Sequence, residues 1–336
     1  MRRGFFFFLL LLVLAGGGAA WYLTRPTPDR VLADALTRFS KLPGANVRVN
    51  LFWDRLSPSG QGYVLDTWMT YGGLVDVRDP SRIALRGAAG YGKTQNPDDF
   101  QTANVAVNAK AISVQLMDTD PSLVSWFESA AGTSTTKDTW FSFDREILLK
   151  EKNLSAFLPM GRAEDLRVAW NDAQFSTWAS VRSSKERMTA NGARVFDAEL
   201  ILHQNTIETA LISLQSAWMA KDPSPAMLDW AHRAAQGVQS GEWHATYSED
   251  GTGIHSIGGK WPTLDDEGRV NGHVTIQIDV LGAATVQDAV PDGAIDLTTA
   301  IRPAMSPGFS PSSNRVIPEQ SSSSTTLESS STSSQP

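Results

Sequence analysis

The sequence predicts an α+β domain built on an antiparallel sheet, and three observations carry that prediction. Runs of alternating apolar and polar residues recur along the middle of the chain, joined by links too short for helical crossovers, so successive strands are expected to run side by side in opposite directions. Three stretches with apolar residues at helical spacing flank or interrupt those runs. The two ends of the chain differ in kind from the middle, which divides it into an apolar leader (residues 1–24), a folded domain (25–302) and a Ser/Thr/Pro-rich tail (303–336).

The domain opens with a helix. Pro28 and Asp29 form an entry signal, Val31, Leu32, Ala35, Leu36, Phe39 and Leu42 share one face, and Pro43-Gly44 ends it. In the next stretch Val47, Val49, Leu51 and Trp53 point one way and Arg48, Asn50 and Asp54 the other, with Phe52 as the exception, which is the pattern of a half-buried strand. Further β-rich runs cover Tyr63 to Val77, Ile83 to Tyr91, Phe100 to Val107 and Ile112 to Leu116, punctuated by Pro58-Ser59-Gly60, Asp79-Pro80 and Asn96-Pro97. A loop through Gly132 to Asp138 leads to Trp140-Phe141-Ser142-Phe143-Asp144, and later β candidates are Phe175 to Val181, Glu186 to Thr189 and Arg194 to Leu202. Asn205 and Glu208 have the spacing of a capping box ahead of Ile207, Ala210, Leu211, Leu214 and Trp218. Ser224-Pro225 opens a second helix with Met227, Trp230, Ala231 and Ala234 as its stripe and Gly237 as its expected terminator. After Gly241 the strands return. Trp243, Ala245 and Tyr247 alternate up to a hairpin signal at Asp250-Gly251, Ile254 to Trp261 runs back, and Val274, Ile276, Ile278 and Val280 close the sheet.

The ends set the expected surroundings. Arg2 and Arg3 precede ten strongly apolar residues, Phe5 to Leu14, and the apolar run continues to Leu23. As a helix it is roughly 28 Å long, about one hydrocarbon layer. As a signal anchor it leaves the arginines in the cytoplasm, Trp21 and Tyr22 in the opposite interface and the domain outside; as a cleavable signal it is cut near Gly18-Ala19-Ala20. The interfacial aromatics favour the anchor, and either way the domain is extracytoplasmic. The 34-residue tail holds 13 Ser, 3 Thr and 5 Pro, too little apolar surface to offset its chain entropy, so it is expected to be disordered, as a wall-contacting stalk or as an inert solvated end.

Composition excludes several function classes. With no cysteine there are no disulfides, thiolate nucleophiles or acylated lipoprotein signals. The chain carries −7; setting aside the two leader arginines and a tail with one arginine and two glutamates leaves the domain at −8, which argues against nucleic acid as a partner. Gly87-Ala88-Ala89-Gly90-Tyr91-Gly92-Lys93-Thr94 matches the nucleotide-binding pattern G-x-x-x-x-G-K-[ST] literally. The pattern works only when a helix begins at the lysine, and Gln95-Asn96-Pro97-Asp98-Asp99 is a turn sequence instead, so the stretch reads as a glycine-rich strand end; Asp118 could otherwise have stood for the magnesium-binding aspartate. His244, His255 and His273, with Glu242, Asp250 and Asp266 nearby, lack tight ligand spacing and read as surface histidines, His244 opposite Trp243. No G-x-S-x-G elbow, H-E-x-x-H or complete S-x-x-K set is present, so no enzyme and no cofactor is expected. Asp98-Asp99 and Asp265-Asp266 read as solvated loop charges.

The order of helix, antiparallel strands, helices and a closing meander resembles the lipoprotein-carrier half-barrel family of LolA and the LppX/LprG-type proteins. The likeness rests on Trp140 to Asp144, on Asn191-Gly192-Ala193-Arg194-Val195-Phe196, on Glu242-Trp243 through Asp250-Gly251 to Ile257-Gly258-Gly259, and on Val290-Pro291-Asp292-Gly293-Ala294-Ile295, across roughly Asp29 to Leu297. It implies a strongly curved antiparallel sheet, a half-barrel, with helices covering the concave face and an apolar cavity between them. The candidates for lining that cavity are Leu51, Trp53, Val114, Leu116, Phe196, Leu200, Ile276 and Ile278, though for any one aromatic or aliphatic residue plain core packing is the simpler account. Without the lipobox cysteine a spanning helix would replace acylation, which fits a tethered protein better than a diffusing shuttle. The expectation is therefore a non-enzymatic, membrane-tethered extracytoplasmic protein that binds a lipid or lipidated ligand. The alternatives are a structural or adhesive envelope protein using its tail and, third, a nucleotide-binding protein using Gly87 to Thr94.

Overall fold

The computed structural model describes residues 26–57, 59–78, 83–93, 101–134, 138–150, 162–250, 253–264, 269–286 and 291–300. The expected leader helix, the tail and the Asp98-Asp99 and Asp265-Asp266 pairs lie outside these residues. Among the described residues, no helix is long and apolar enough to cross a membrane.

The first described element is α1 (Pro28–Ser40), where Thr27 accepts the Arg30 N–H at 3.3 Å and Pro28 fills the first turn. A five-strand meander follows: β1 (Gly44–Leu56), β2 (Tyr63–Asp76), β3 (Ala84–Gly92), β4 (Gln101–Val107) and β5 (Ala111–Asp118). Next come α2 (Pro121–Ala131), β6 (Trp140–Asp144), α3 (Arg145–Lys150), α4 (Ala163–Asp172), a 3-10 turn (Phe175–Thr177), β7 (Ala179–Met188) and β8 (Arg194–Leu202). Helices α5 (Gln204–Met219) and α6 (Pro225–Gln239) precede β9 (Glu242–Ser248), β10 (Ile254–Leu264), β11 (Val270–Ala283) and the short β12 (Ile295–Asp296).

These form one open 12-stranded sheet in the order β12-β6-β5-β4-β3-β2-β1-β11-β10-β9-β8-β7. Every ladder is antiparallel except β12 on β6. The expected α+β class holds in that form, with a mixed rather than purely antiparallel sheet.

Residues directly opposite in a ladder share a face, so the register traces one row across the sheet: Ala198, Ala245, Ile257, Ile278, Val49, Tyr71, Ala89, Ala103 and Leu116. The β8-to-β1 part of this face is filled. Val31, Leu32 and Ala35 of α1, Ile207 of α5 and Ala235 of α6 close over Val47, Phe196, Ala198, Leu200, Ala245, Tyr247, Ile254 and Val280. Phe196 stacks on Tyr247 with centroids 5.3 Å apart. Among the described residues, the β2-to-β6 part carries a small second cluster, Phe127 of α2 on Phe141 and Leu297.

Several local expectations are corrected. Helices α2, α3 and α4 were not foreseen, and Phe175 to Thr189 is a 3-10 turn followed by one strand rather than two β runs. The Asn205–Glu208 capping box does not form; α5 starts at Gln204 with His203 at its cap and no side-chain cap bond. Ser224 does cap α6, accepting the Met227 N–H at 3.2 Å, but Gly237 lies inside that helix and the cap is Ser240. Trp230 belongs to the solvent side of α6, 47% exposed, while the stripe runs through Ala231 and Ala235, both fully buried.

One end of the sheet is fixed to the segment that leads into α1. Arg194, buried at the head of β8, bonds Glu186 and Glu249, lies over the Phe196 ring at 4.8 Å, and donates to the Pro26 carbonyl at 3.3 Å. The Tyr247 hydroxyl donates to the Pro28 carbonyl at 3.1 Å. The β1–β2, β3–β4 and β10–β11 connections lie at the opposite end.

Candidate functional site

The unfilled half of the inner face holds a chamber of about 560 Å³, inside the range of small-molecule sites. Its floor is β1 to β5: Val49 and Leu51, Met69 and Tyr71, Ala89 and Tyr91, Gln101 and Ala103, Val114 and Leu116. Thr119, Leu123 and Phe127 close one side from α2 and the turn before it. Strand alternation aims these side chains inward, and the small Ala89 and Ala103, opposite each other, leave the space that bulkier residues would fill.

Helix α2 is positioned by its ends. Asp120 accepts the Ser122 N–H at 2.6 Å, Pro121 opens the first turn, and Gly132, at φ +66°, ends it in the left-handed conformation glycine favours. The hydrogen bonds from the Ser122 hydroxyl and backbone hold the Asp120 carboxyl below the usual carboxylate range. Phe127 packs 4.7 Å from Phe141, which ties the helix to the β6 side of the chamber.

Among the described residues, no charged side chain lines the chamber. The Tyr71 hydroxyl donates to the Leu74 carbonyl at 2.7 Å, and burial pushes its pKa up to about 12, so it stays a neutral phenol at ordinary pH. Thr119 and Thr102 are turned to backbone, Thr119 Oγ1 donating to the Thr102 carbonyl at 3.5 Å and Thr102 Oγ1 accepting the Asp118 N–H at 3.1 Å. Such a surface attracts apolar groups through water release and offers little to a polar substrate.

Met69, 44% exposed, also lines a second cleft of about 470 Å³ toward the strand tips, with Trp53, Asp54, Arg55, Asp66, Thr67, Thr263 and Asn271. Arg55 Nε and Asp66 are 2.9 Å apart, and Thr263 donates to Asn271 at 2.8 Å.

Of the residues singled out from sequence, Leu51, Val114 and Leu116 line the chamber and Trp53 the adjoining cleft. Phe196 and Leu200 instead lie in the filled core, 1% and 4% exposed. Ile276 and Ile278 pair with Leu51 and Val49 on the same face but are not among the lining residues. Sequence reasoning missed Leu123 and Phe127; the Asp120-Pro121 start and Gly132 stop were the signals that could have found their helix.

The glycine motif has a packing explanation. Gly87 to Gly92 lie in β3, laddered to β2 and to β4, so their backbone faces neighbouring strands rather than a ligand. A Cβ on Gly87 would sit 2.3 Å from the Gly72 carbonyl oxygen, and one on Gly92 2.5 Å from Trp68 Nε1. Of the histidines, His244 meets Gln277 at 3.2 Å, His255 meets Ser248 at 2.9 Å, and His273 stands edge-on to Tyr63 at 4.4 Å. Among the described residues, no three His, Cys, Asp or Glu side chains gather in a way that could hold a metal ion. Compared with models of known protein families and with curated proteins, the chain matches none.

Proposed function

We propose that this protein binds a lipid or another apolar group in the chamber between β1–β5 and α2, acting by binding rather than catalysis, as a membrane-tethered extracytoplasmic half-barrel of the LolA and LppX/LprG kind. The observation that carries this reading is the contrast along a single sheet face. Where α1, α5 and α6 lie, the face is packed shut; from Val49 to Leu116 equally apolar side chains surround about 560 Å³ of space. Leaving such surface open sacrifices roughly 25 cal/mol per Å² of hydrophobic stabilisation, a cost that a bound apolar group recovers. The open order of the sheet and the small helix α2 beside this half agree with a trough that a chain-like ligand enters from the side.

The test is extraction of the full chain from its native membrane, followed by denaturation and mass spectrometry of what is released. The expected result is a reproducible apolar molecule at close to one per chain, depleted by Ala89→Phe, which fills the floor. Recovery of the folded protein free of any apolar molecule, together with no binding of added acyl probes, would overturn the reading.

A further inference from the structure

The two ends of the chamber differ in chemistry. Val49, Tyr71, Ala89, Ala103 and Leu116 form one row across its floor, and Leu51, Met69, Tyr91 and Gln101 form the next row toward the strand tips, roughly 7 Å farther along the strands. At the opposite corner Val114 pairs with Phe141, on which Phe127 packs at 4.7 Å. An occupant therefore meets only apolar groups at one end and a tyrosine and a glutamine at the other.

Most of the chamber's polar groups are already engaged. The Tyr71 hydroxyl donates to the Leu74 carbonyl, and Thr102 and Thr119 bond backbone. The Tyr91 hydroxyl and the Gln101 carboxamide also line the space, yet neither has a hydrogen-bond partner among the described residues. On the outer side of the same sheet a facing pair satisfies itself, Asn104 donating to Gln115 at 2.7 Å. Tyr91 and Gln101 do not, although they stand directly opposite each other on β3 and β4, where Cβ atoms lie about 5 Å apart.

That placement selects a ligand group. A carbonyl oxygen has two lone pairs, so one oxygen above the pair accepts the Tyr91 O–H and a Gln101 N–H together. Among the described residues no charged side chain lines the chamber, so a charge drawn in with the chain would stand without a counter-ion. An uncharged acceptor on a hydrocarbon chain meets both conditions.

Resting on the reading of the chamber as a seat for an apolar group, we propose that Tyr91 and Gln101 are its polar subsite, and that the ligand is an acyl group held by its ester or amide carbonyl with the chain end directed at Phe127. Esters are the linkage of glycerides and amides that of N-acylated polypeptides; the two donors serve either carbonyl.

The test uses the full chain in nanodiscs of ether-linked lipid, which brings no competing carbonyl, with empty nanodiscs as the blank. Three probes of similar length are bound and counted by native mass spectrometry: methyl palmitate, N-methylpalmitamide and heptadecane. Tyr91→Phe, which removes one oxygen that bonds nothing in the described protein, and Gln101→Met should each weaken the ester and the amide by about fivefold and leave heptadecane unchanged. The tighter of the first two identifies the source, glyceride or acylated polypeptide. Equal weakening of all three probes, or no change in any, overturns the polar subsite, while binding that Ala89→Phe abolishes still supports the chamber. If no probe binds the unaltered chain, the chamber is not an acyl site and both readings fall together.

Discussion

The contrast between a filled and an open half of one sheet face makes a paired prediction, because the same row carries two alanines at each end. Ala245 is 2% exposed and opposite Ala198, 5% exposed, beneath the helices; Ala89 is opposite Ala103 on the chamber floor. Enlarging each to leucine inserts the same three heavy atoms into the same strand environment. At Ala245 they meet the core formed with Phe196, Ile254 and Tyr247, and overpacking of that kind costs about 1–3 kcal/mol. At Ala89 they enter free space, gain wall contacts and lose nothing, so the change should stay within about 0.5 kcal/mol of zero, as at a tolerant surface site. For a domain of this size the first shifts the melting midpoint down by about 2–4 °C per kcal/mol and the second leaves it in place. Chemical denaturation of ligand-stripped protein, followed by tryptophan fluorescence, reads both. If Ala89→Leu destabilises as much as Ala245→Leu, the chamber is not hollow in solution and the argument from unfilled volume is wrong.

Other consequences concern the framework. Burial pushes the Asp76 carboxyl up, but hydrogen bonds from the Arg78 side chain, from the Arg78 and Val286 backbone and the Arg78 charge outweigh it and hold it below the usual range. Because its folded value is depressed, the stability it adds is complete above about pH 4 and is lost as the pH falls through the folded value. Asp76→Ala should cost about 2 kcal/mol at pH 7, a cost that shrinks as the pH falls below about 4, measured by denaturation across that range. Ser224→Ala, which removes the cap of α6, should cost about 1 kcal/mol in the same assay. Gly87→Ala should destabilise by more than about 2 kcal/mol through its clash with the β2 backbone, whereas Lys93→Ala should change stability by less than about 0.5 kcal/mol; a nucleotide affinity that depends on Lys93 would contradict the strand reading of this segment. Arg194→Ala leaves Glu186 and Glu249 without their shared cation and should cost about 3 kcal/mol, with faster proteolysis near Pro26.

Much of this fold is written in local patterns. Arg194 to Leu202 alternates so regularly that every inward residue from Phe196 onward is buried and every outward one exposed, and α1 follows from its Pro28 entry and one-sided apolar stripe. Helix α2 is harder to read because it is only 11 residues long and, of its apolar residues Leu123, Val124, Trp126 and Phe127, only Phe127 is buried, so a short apolar run there is ambiguous between helix and strand. The chamber was legible only in part for a different reason. Alternation tells which side of a strand faces inward, and so finds Leu51, Val114 and Leu116, but it gives Phe196 and Leu200 the same score. What separates them is which stretch of sheet lies under α1, α5 and α6, a long-range fact absent from any short window of sequence. The hollow is marked by small residues, Ala89 and Ala103, rather than by large ones, so a search for apolar bulk passes over the positions that create the space.

The position of the chain's entry bears on how a tethered protein of this kind could work. Arg194 and Tyr247 hold Pro26 and Pro28 at the end of the sheet where β8 and β1 begin, while the cleft lies toward the β1–β2 and β10–β11 connections at the other end. Strand β1, 13 residues from Gly44 to Leu56, makes that separation roughly 40 Å at about 3.3 Å per residue. If residues 1–24 anchor the chain in a bilayer as proposed, only Arg25 separates that anchor from Pro26, a reach of about 7 Å in extended chain. With the Arg194–Pro26 contact closed, such an anchor holds the starts of β8 and β1 near its own membrane and keeps the cleft, with the Leu51 and Met69 side of the chamber, at the far end. Exchange with the anchoring membrane then requires that contact to open, whereas exchange with a partner farther out does not. Arg194→Ala separates the two routes: loosening the entry should speed transfer of an acyl probe from the anchoring bilayer and leave transfer to acceptor vesicles in solution unchanged. Equal acceleration of both would mean that the latch sets the shape of the chamber rather than its orientation.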